Sequence, residues 1–554
     1  MAAEDGRKPD KILINGDILT LDPARPRVEA IAISGGRIVA AGSTEEIAAL
    51  GGASAETIDL QGRMAMPGFV DVHNHVLMGG TAELFEHRFA GSATLDEICA
   101  TVRAAAEKAS PGQWIFGSQW GADRLAELNT TAALERLDAA SLGHPVLLRD
   151  ETAHNRWVNS EALRLCGLGA DSADPPEGAL GRDPENGRLT GILIESAAGI
   201  AERVANEYFT ADMAEAAVAR AVRTLNSYGI TAFQDAASVL SILEALRAVE
   251  TKGQLTAWAV TSLPLIEPSF MFGVSGEALL ARRDEFVSRL VRPNFTKIFL
   301  DGVPGARTAA FHEPYVDDPA FARGHRGHTL VTFPELVRYI DLSEKMGMGL
   351  KIHCTGDASV TQMLDAVEAV RHFNGPPKVL HHIAHASYMR PEDIPRFKPL
   401  GVVADLCPMI WFPTTFLDGH RQVMGKERAE RFWPNRDLLD SGALVAGGSD
   451  WPVCPFPAPF SGIEGLVTRA NPEGAFPGET LWPEQAISLE EAIAIYTINS
   501  ARAAGLGDET GSLEPGKSAD LIVLDQNLFA IPPDRISETK VLATYFEGRL
   551  VFER

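Results

Sequence analysis

The sequence predicts an α/β fold: a (β/α)8 barrel with a small β-sandwich domain made from both chain ends and a long insertion after the first barrel strand. Three observations lead there. Short apolar strands alternate with helical stretches between Pro67 and Leu506, the strands number eight, and both ends of the chain carry short strands set off by glycine turns. At 554 residues, 45% of them hydrophobic, the chain is long enough to bury a large core.

The N-terminal part reads as two short strands, Lys11 to Thr20 and Val28 to Ala41, with Asn15-Gly16 and Gly35-Gly36 as turns. Ala519 to Asp525 and Val541 to Val551 match them in style, punctuated by Gly511, Pro515 and Gly516. Residues 1–66 and 507–554 are therefore expected to form one small β domain, with the barrel over 67–506. The barrel strands are expected at Phe69 to His75, Ile230 to Asp235, Thr256 to Val260, Thr296 to Asp301, Leu350 to Cys354, Val379 to His385, Val402 to Leu406 and Leu444 to Asp450. Residues 79–210 fall between the first two and read as an insertion, with one strand at Val146 to Arg149. Its Trp114, Trp120 and Trp157 suit either a lid over the site or a satellite core.

Composition removes several function classes. A net charge of −24 argues against a nucleic-acid partner, which would require a basic face. No apolar run approaches the roughly 20 residues of a membrane span. The polar start from Met1 to Asp10 lacks a signal-peptide core, which places the protein in the cytoplasm. The five cysteines contain no C-x-x-C pair and read as reduced thiols.

Chemistry concentrates at strand ends. His73 and His75 close the first strand two residues apart, so both imidazoles face one side at the barrel's C-terminal mouth. His353, His385 and Asp450 end three later strands, and Lys297 stands inside an apolar run where a bare ammonium is costly, unless Asp301 or Asp450 pairs with it. Histidine and aspartate together suit zinc or a similar divalent ion. Alternation of faces points His381 the same way as His385 and makes it an alternative ligand. Asp357 is expected to cap the helix that follows it.

The order of these residues resembles the amidohydrolase superfamily, particularly its YtcJ-like branch that includes N-substituted formamide deformylases. The motifs are Pro67-Gly68-Phe69-Val70-Asp71-Val72-His73-Asn74-His75, Lys297-Ile298-Phe299-Leu300-Asp301-Gly302, His353-Cys354-Thr355-Gly356-Asp357, Gly447-Gly448-Ser449-Asp450-Trp451-Pro452 and Gly511-Ser512-Leu513-Glu514-Pro515-Gly516-Lys517. The resemblance implies a metal-dependent hydrolase of C–N amide-type bonds with two divalent ions, zinc by expectation, about 3.5–4 Å apart. It implies that His73 and His75 hold one ion, His353 and His385 the other, a carboxylated Lys297 bridges them, and Asp450 is both ligand and general base. It also implies a small-molecule substrate and a homodimer. For substrate contact the sequence offers His154, which matches a histidine of the branch, together with Trp120 and Arg307; Trp411 and Trp451 would add to an apolar pocket. The branch usually has a glutamate where this chain has Ala384, which puts the support of His385 in question.

An ester, lactone or carbamate hydrolase on the same site is the nearest rival. A deaminase fits less well, because the glutamate expected three residues after the fifth-strand histidine is Gly356. A catalytically dead scaffold fits poorly with every expected ligand position filled.

Overall fold

The computed structural model describes residues 8–51, 55–151, 154–176, 178–268, 273–319 and 321–554. Of the N-terminal segment read for a signal, residues 1–7 lie outside these, as do residues 152–153 and 177 of the insertion.

Eight parallel strands follow one another around a barrel in chain order: β1 (Phe69–Asn74), β2 (Ile230–Asp235), β3 (Trp258–Pro264), β4 (Val291–Phe299), β5 (Gly349–Cys354), β6 (His381–His385), β7 (Val402–Leu406) and β8 (Leu444–Gly447). All seven pairings between neighbours are parallel, from β1 beside β2 to β7 beside β8. Closure between β8 and β1 is made just beyond the end of β8. The Asp450 amide donates to the His73 carbonyl at 2.7 Å and the His75 amide to the Trp451 carbonyl at 2.8 Å. Three of the expected site residues, His73, His75 and Asp450, thus supply backbone groups that zip the barrel shut, which fixes their positions against each other.

Strand ends differ from expectation where local residues mislead. β4 begins at Val291 rather than Thr296, although Pro293 cannot donate to a ladder; the pairing with β3 slips at this point, between Val260 and Ser262, and the slip accommodates the proline. β8 ends at Gly447. Gly448 then passes so close to β1 that a Cβ there would stand 2.5 Å from His73 Cβ. Asp357 is the first residue of its helix, after Gly356, and its carboxylate accepts the His312 amide at 2.8 Å rather than capping.

The chain ends form two sheets. Lys11–Ile14, Ala30–Ser34, Arg37–Gly42 and Glu56–Asp59 make one; Asp17–Leu19, Arg27–Val28, Met64–Pro67, Leu521–Leu524, Val541–Phe546 and Arg549–Glu553 make the other. Leu13, Ile31 and Ile33 of the first meet Ile18, Leu521 and Val523 of the second in one buried cluster, as a sandwich requires. Three of the four segments expected from sequence are broken, by the turns at Asn15-Gly16, Gly35-Gly36 and Glu547-Gly548, where positive φ angles occur at Asn15, Gly35, Gly36, Glu547 and Gly548.

The insertion holds more structure than its single expected strand. Glu86–Arg88, Ile115–Trp120, Val146–Asp150, Asn155–Val158, Gly178–Arg182 and Leu189–Glu195 form a six-stranded mixed sheet. Successive residues face opposite sides: Leu148 and Trp157 join a cluster with Ile98 and Trp120, while Leu147 and Val158 join one with Trp114 and Ala201. Helix Val76–Phe85 packs on helix Ala211–Ser227, and the strands of the inserted sheet run from Glu86 to Glu195 between them in sequence.

Candidate metal centre

His73, His75, Lys297, His353, His385 and Asp450 are all buried, between 0 and 7% exposed, and they converge at the mouth of the barrel. His73 Nε2 and His75 Nε2 lie 3.5 and 3.4 Å from Asp450 Oδ1. One donor atom from each of these three residues falls within 4.8 Å of the other two, a spacing that a single ion can span. The His385 ring sits 5.1 Å from that of His73 and 4.4 Å from that of His353, centroid to centroid. A second close cluster joins His73, His385 and Cys407.

Two of the rings are held from behind. His353 Nδ1 lies 3.2 Å from Asp301 Oδ1, and the same carboxylate accepts the amides of Thr355, Gly356 and Ala310 and the Ser359 hydroxyl. Asp301 is therefore the anchor of His353 and not the counter-ion of Lys297. His385 Nδ1 meets the Cys407 carbonyl at 3.0 Å, which supplies the support that Ala384 does not, and its own carbonyl accepts Trp433 Nε1 at 2.7 Å. Asp71 accepts the His73 amide, the Ser449 amide and the Ser449 hydroxyl, tying β1 to the segment that carries Asp450.

Backbone geometry redirects two side chains. His385 has φ 76° and Asp450 φ 54°, left-handed values that non-glycine residues hold only when surrounding structure imposes them. Because His385 leaves the extended region, alternation of faces does not reach it from His381. His381 turns outward instead, its Nε2 to Glu344 at 3.0 Å and its Nδ1 accepting the Leu350 amide at 3.1 Å.

Burial, with lesser help from neighbouring charges, holds His353 down to about 3 and pushes His73 and His385 well below the usual histidine range, so all three are neutral donors at pH 7. Burial raises the Asp450 carboxyl, but the hydrogen bond to His75 and the neighbouring basic side chains His385, His75 and Lys297 outweigh it and leave it below its ordinary value. Lys297 is lowered to about 8, first by burial and then by the charge of Lys351. Its Nζ has no hydrogen-bond partner among the described residues and lies 4.4 Å from the Phe299 ring centroid. Neutral imidazoles and an ionised carboxylate fit a cationic metal group.

The residues put forward for substrate contact divide. His154 Nδ1 bonds Glu195 Oε2 at 2.9 Å, and the charges of both residues reach His353. Trp120 is corrected: it is 1% exposed in the insertion's own core, its Nε1 donating to the Leu148 carbonyl at 3.2 Å. Trp411 and Trp451 are likewise fully buried, Trp451 against Gly79. Arg307 is corrected too. It donates to the Val316 carbonyl at 2.5 Å, pairs with Asp318 at 3.3 Å and stacks near Tyr315 and Phe321, so it braces its own loop. Sequence reading missed Glu195, Lys351 and Asp405. The latter two carried a visible signal, a charged residue inside an apolar strand, and Glu195 carried none.

A parallel barrel with four histidines, a lysine and an aspartate gathered at its C-terminal mouth defines the class as a barrel metallohydrolase. The signature of the amidohydrolase family matches residues 56–552, and the chain belongs to that family. N-substituted formamide deformylase of Arthrobacter pascens is 31% identical over 98% of each chain. YtcJ of Bacillus subtilis is 28% identical over 97% of this chain and 98% of its own. The crystal structure of an uncharacterized metal-dependent hydrolase from Pyrococcus horikoshii superposes with a TM-score of 0.76 at 26% identity, covering 94% of this chain and 99% of the other. The protein is thus an enzyme, a metal-dependent hydrolase of carbon–nitrogen bonds in small molecules. Among the described residues no helix is long and apolar enough to cross a membrane.

Proposed function

We propose that this enzyme hydrolyses an N-acyl or N-formyl amine, with an apolar or aromatic substituent, at a centre of two divalent ions, zinc in the first place. His73 and His75 hold one ion, His353 and His385 the other, Lys297 bridges them in carboxylated form, and Asp450 is both ligand and base. The observation that carries this reading is the Lys297 amine, fully buried and without a hydrogen-bond partner among the described residues. Carboxylation turns that costly group into an anionic ligand. The substrate class is drawn from the formamide deformylase that the chain matches from end to end.

When bound, the ions supply Lewis-acid polarisation of the carbonyl and of water. The residues do the rest. Asp450, ionised at neutral pH, takes a proton on its carboxylate and returns it to the departing nitrogen. Its left-handed backbone and the hydrogen bond to His73 keep that carboxylate in place. His154, tied through Nδ1 to Glu195, contacts the substrate carbonyl or the leaving group. The same reading puts the enzyme in the cytoplasm, with its five cysteines unpaired, and as a homodimer.

The test is elemental analysis of the purified protein and of a Lys297→Ala variant, with assays on N-formyl and N-acyl amines beside an ester, a lactone and a carbamate. Near two ions per chain and turnover of the amides, both lost in the variant, is the expected result. A single ion indifferent to the substitution would sink the bridged centre, and turnover of the ester, lactone or carbamate alone would sink the substrate class.

A further inference from the structure

Two lysines stand side by side in the barrel interior: β4 and β5 pair with Lys297 opposite Lys351, and neither is exposed. Two adjacent buried ammonium groups are costly unless each finds partners, and only one does. Lys351 Nζ donates to the Val72 carbonyl at 2.8 Å, lies 3.3 Å from His382 Nδ1 and makes a short ion pair with Asp405 Oδ2. The same Asp405 oxygen stands 3.4 Å from His73 Nδ1. On the far side of that ring, His73 Nε2 faces Asp450. Lys351 therefore touches β1 one residue before His73, β6 three residues before His385, and β7.

We propose that Lys351 and Asp405 form a buried positioning pair for the metal centre: Lys351 fixes the Asp405 carboxylate, and Asp405 accepts His73 Nδ1–H, so that Nε2 is the atom presented to the ion. An imidazole that donates one nitrogen to a carboxylate is locked in tautomer and orientation and offers the other nitrogen as a lone pair. Asp405 without Lys351 would be an uncompensated buried charge; with it, the support under His73 is electrically neutral. The three acceptors of Lys351 also explain how two lysines of one layer divide their roles, one saturated and structural, the other left free. The inference rests on the metal centre proposed above and not on the substrate class.

The test measures metal dissociation constants by competition with a chromophoric chelator, on the full chain. Lys351→Met/Asp405→Leu replaces the pair by apolar groups of similar size, a change that usually spares stability. It should melt near the metal-stripped parent yet bind one ion about 10- to 100-fold more weakly. Lys351→Met/Asp405→Asn retains an acceptor for Nδ1–H and should regain most of that loss. Parent-like affinity in a folded Lys351→Met/Asp405→Leu protein would overturn the proposal. A second measurement needs no variant: anomalous scattering from crystals of the zinc-loaded parent should place an ion on His73 Nε2, and ligation through Nδ1, or no ion on His73, would overturn it. A parent that binds both ions but cleaves no N-acyl amine would count against the substrate reading alone.

Discussion

His154 and Glu195 lie one residue beyond the last rung of an antiparallel ladder, where Asn155 pairs with Ile194, and their side chains meet at 2.9 Å. Glu195 holds this place with φ 50°, a conformation that costs a non-glycine residue on the order of 1 kcal/mol or more and persists where neighbours impose it. The register of the inserted sheet thereby brings an acid–imidazole pair close enough for its charge to be felt at His353.

That pair should show itself in a stability profile. Partial burial opposes a charged His154, but Glu195, and then Asp150, outweigh it and raise the imidazole above 6.5. Burial also pushes Glu195 up, and His154 outweighs it, so the carboxyl lies below 4.5. The histidine's contribution is complete below 6.5 and is lost as pH rises through the higher folded value; the glutamate's is complete above 4.5 and is lost as pH falls through the lower one. Thermal melts of the metal-loaded protein should find Glu195→Gln less stable by about 1 kcal/mol between these limits, with the gap closing at alkaline pH. A gap that ignores pH would mean the pair is not charged.

Lys297→Met should abolish metal bridging and yet stabilise the stripped protein. The folded lysine gives up its proton near pH 8 while the unfolded one keeps it to 10.5, so the parent gains stability as pH climbs between these values. In bicarbonate-free buffer with chelator at pH 7, the Met variant should be more stable than the stripped parent by about 1–3 kcal/mol, with the margin shrinking above pH 8. Equal denaturant midpoints would argue that the amine has found a partner.

Gly448→Ala forces a Cβ to within 2.5 Å of His73 Cβ and 2.8 Å of its amide nitrogen. Neither neighbour is a flexible side-chain end, so β1 must shift. Metal content should fall and stability drop by about 1–3 kcal/mol, measured by elemental analysis and calorimetry. Full metal content would show that the barrel seam is softer than the contact implies.

Trp120→Phe and Arg307→Met should change stability but leave the relative kcat/KM values across a substrate panel as they are, because the first packs a core and the second braces a loop. His154→Asn, in contrast, should reorder that panel. A specificity change in the Trp120 variant would return that residue to the pocket.

The donor inventory was legible in the sequence because each donor closes a local apolar run: His73 and His75, His353, His385, and Asp450 after its two glycines. The barrel was legible for the same reason, though Pro293 hides the start of β4 and β8 stops at Gly447, three residues before Asp450. The six-stranded inserted sheet was not, because its strands are short and four of its partners are distant in sequence or reached through turn-rich loops.

What the sequence determined by itself is the chemistry available and the class of fold that could gather it, since both follow from residue type and short-range periodicity. Only the tertiary structure decided which group meets which. Inter-strand register sets Lys297 beside Lys351, the inserted sheet brings His154 to Glu195, and a left-handed φ at His385 takes its ring out of the alternation that His381 follows. Those are consequences of pairing and backbone strain between segments up to hundreds of residues apart, and no local pattern encodes them.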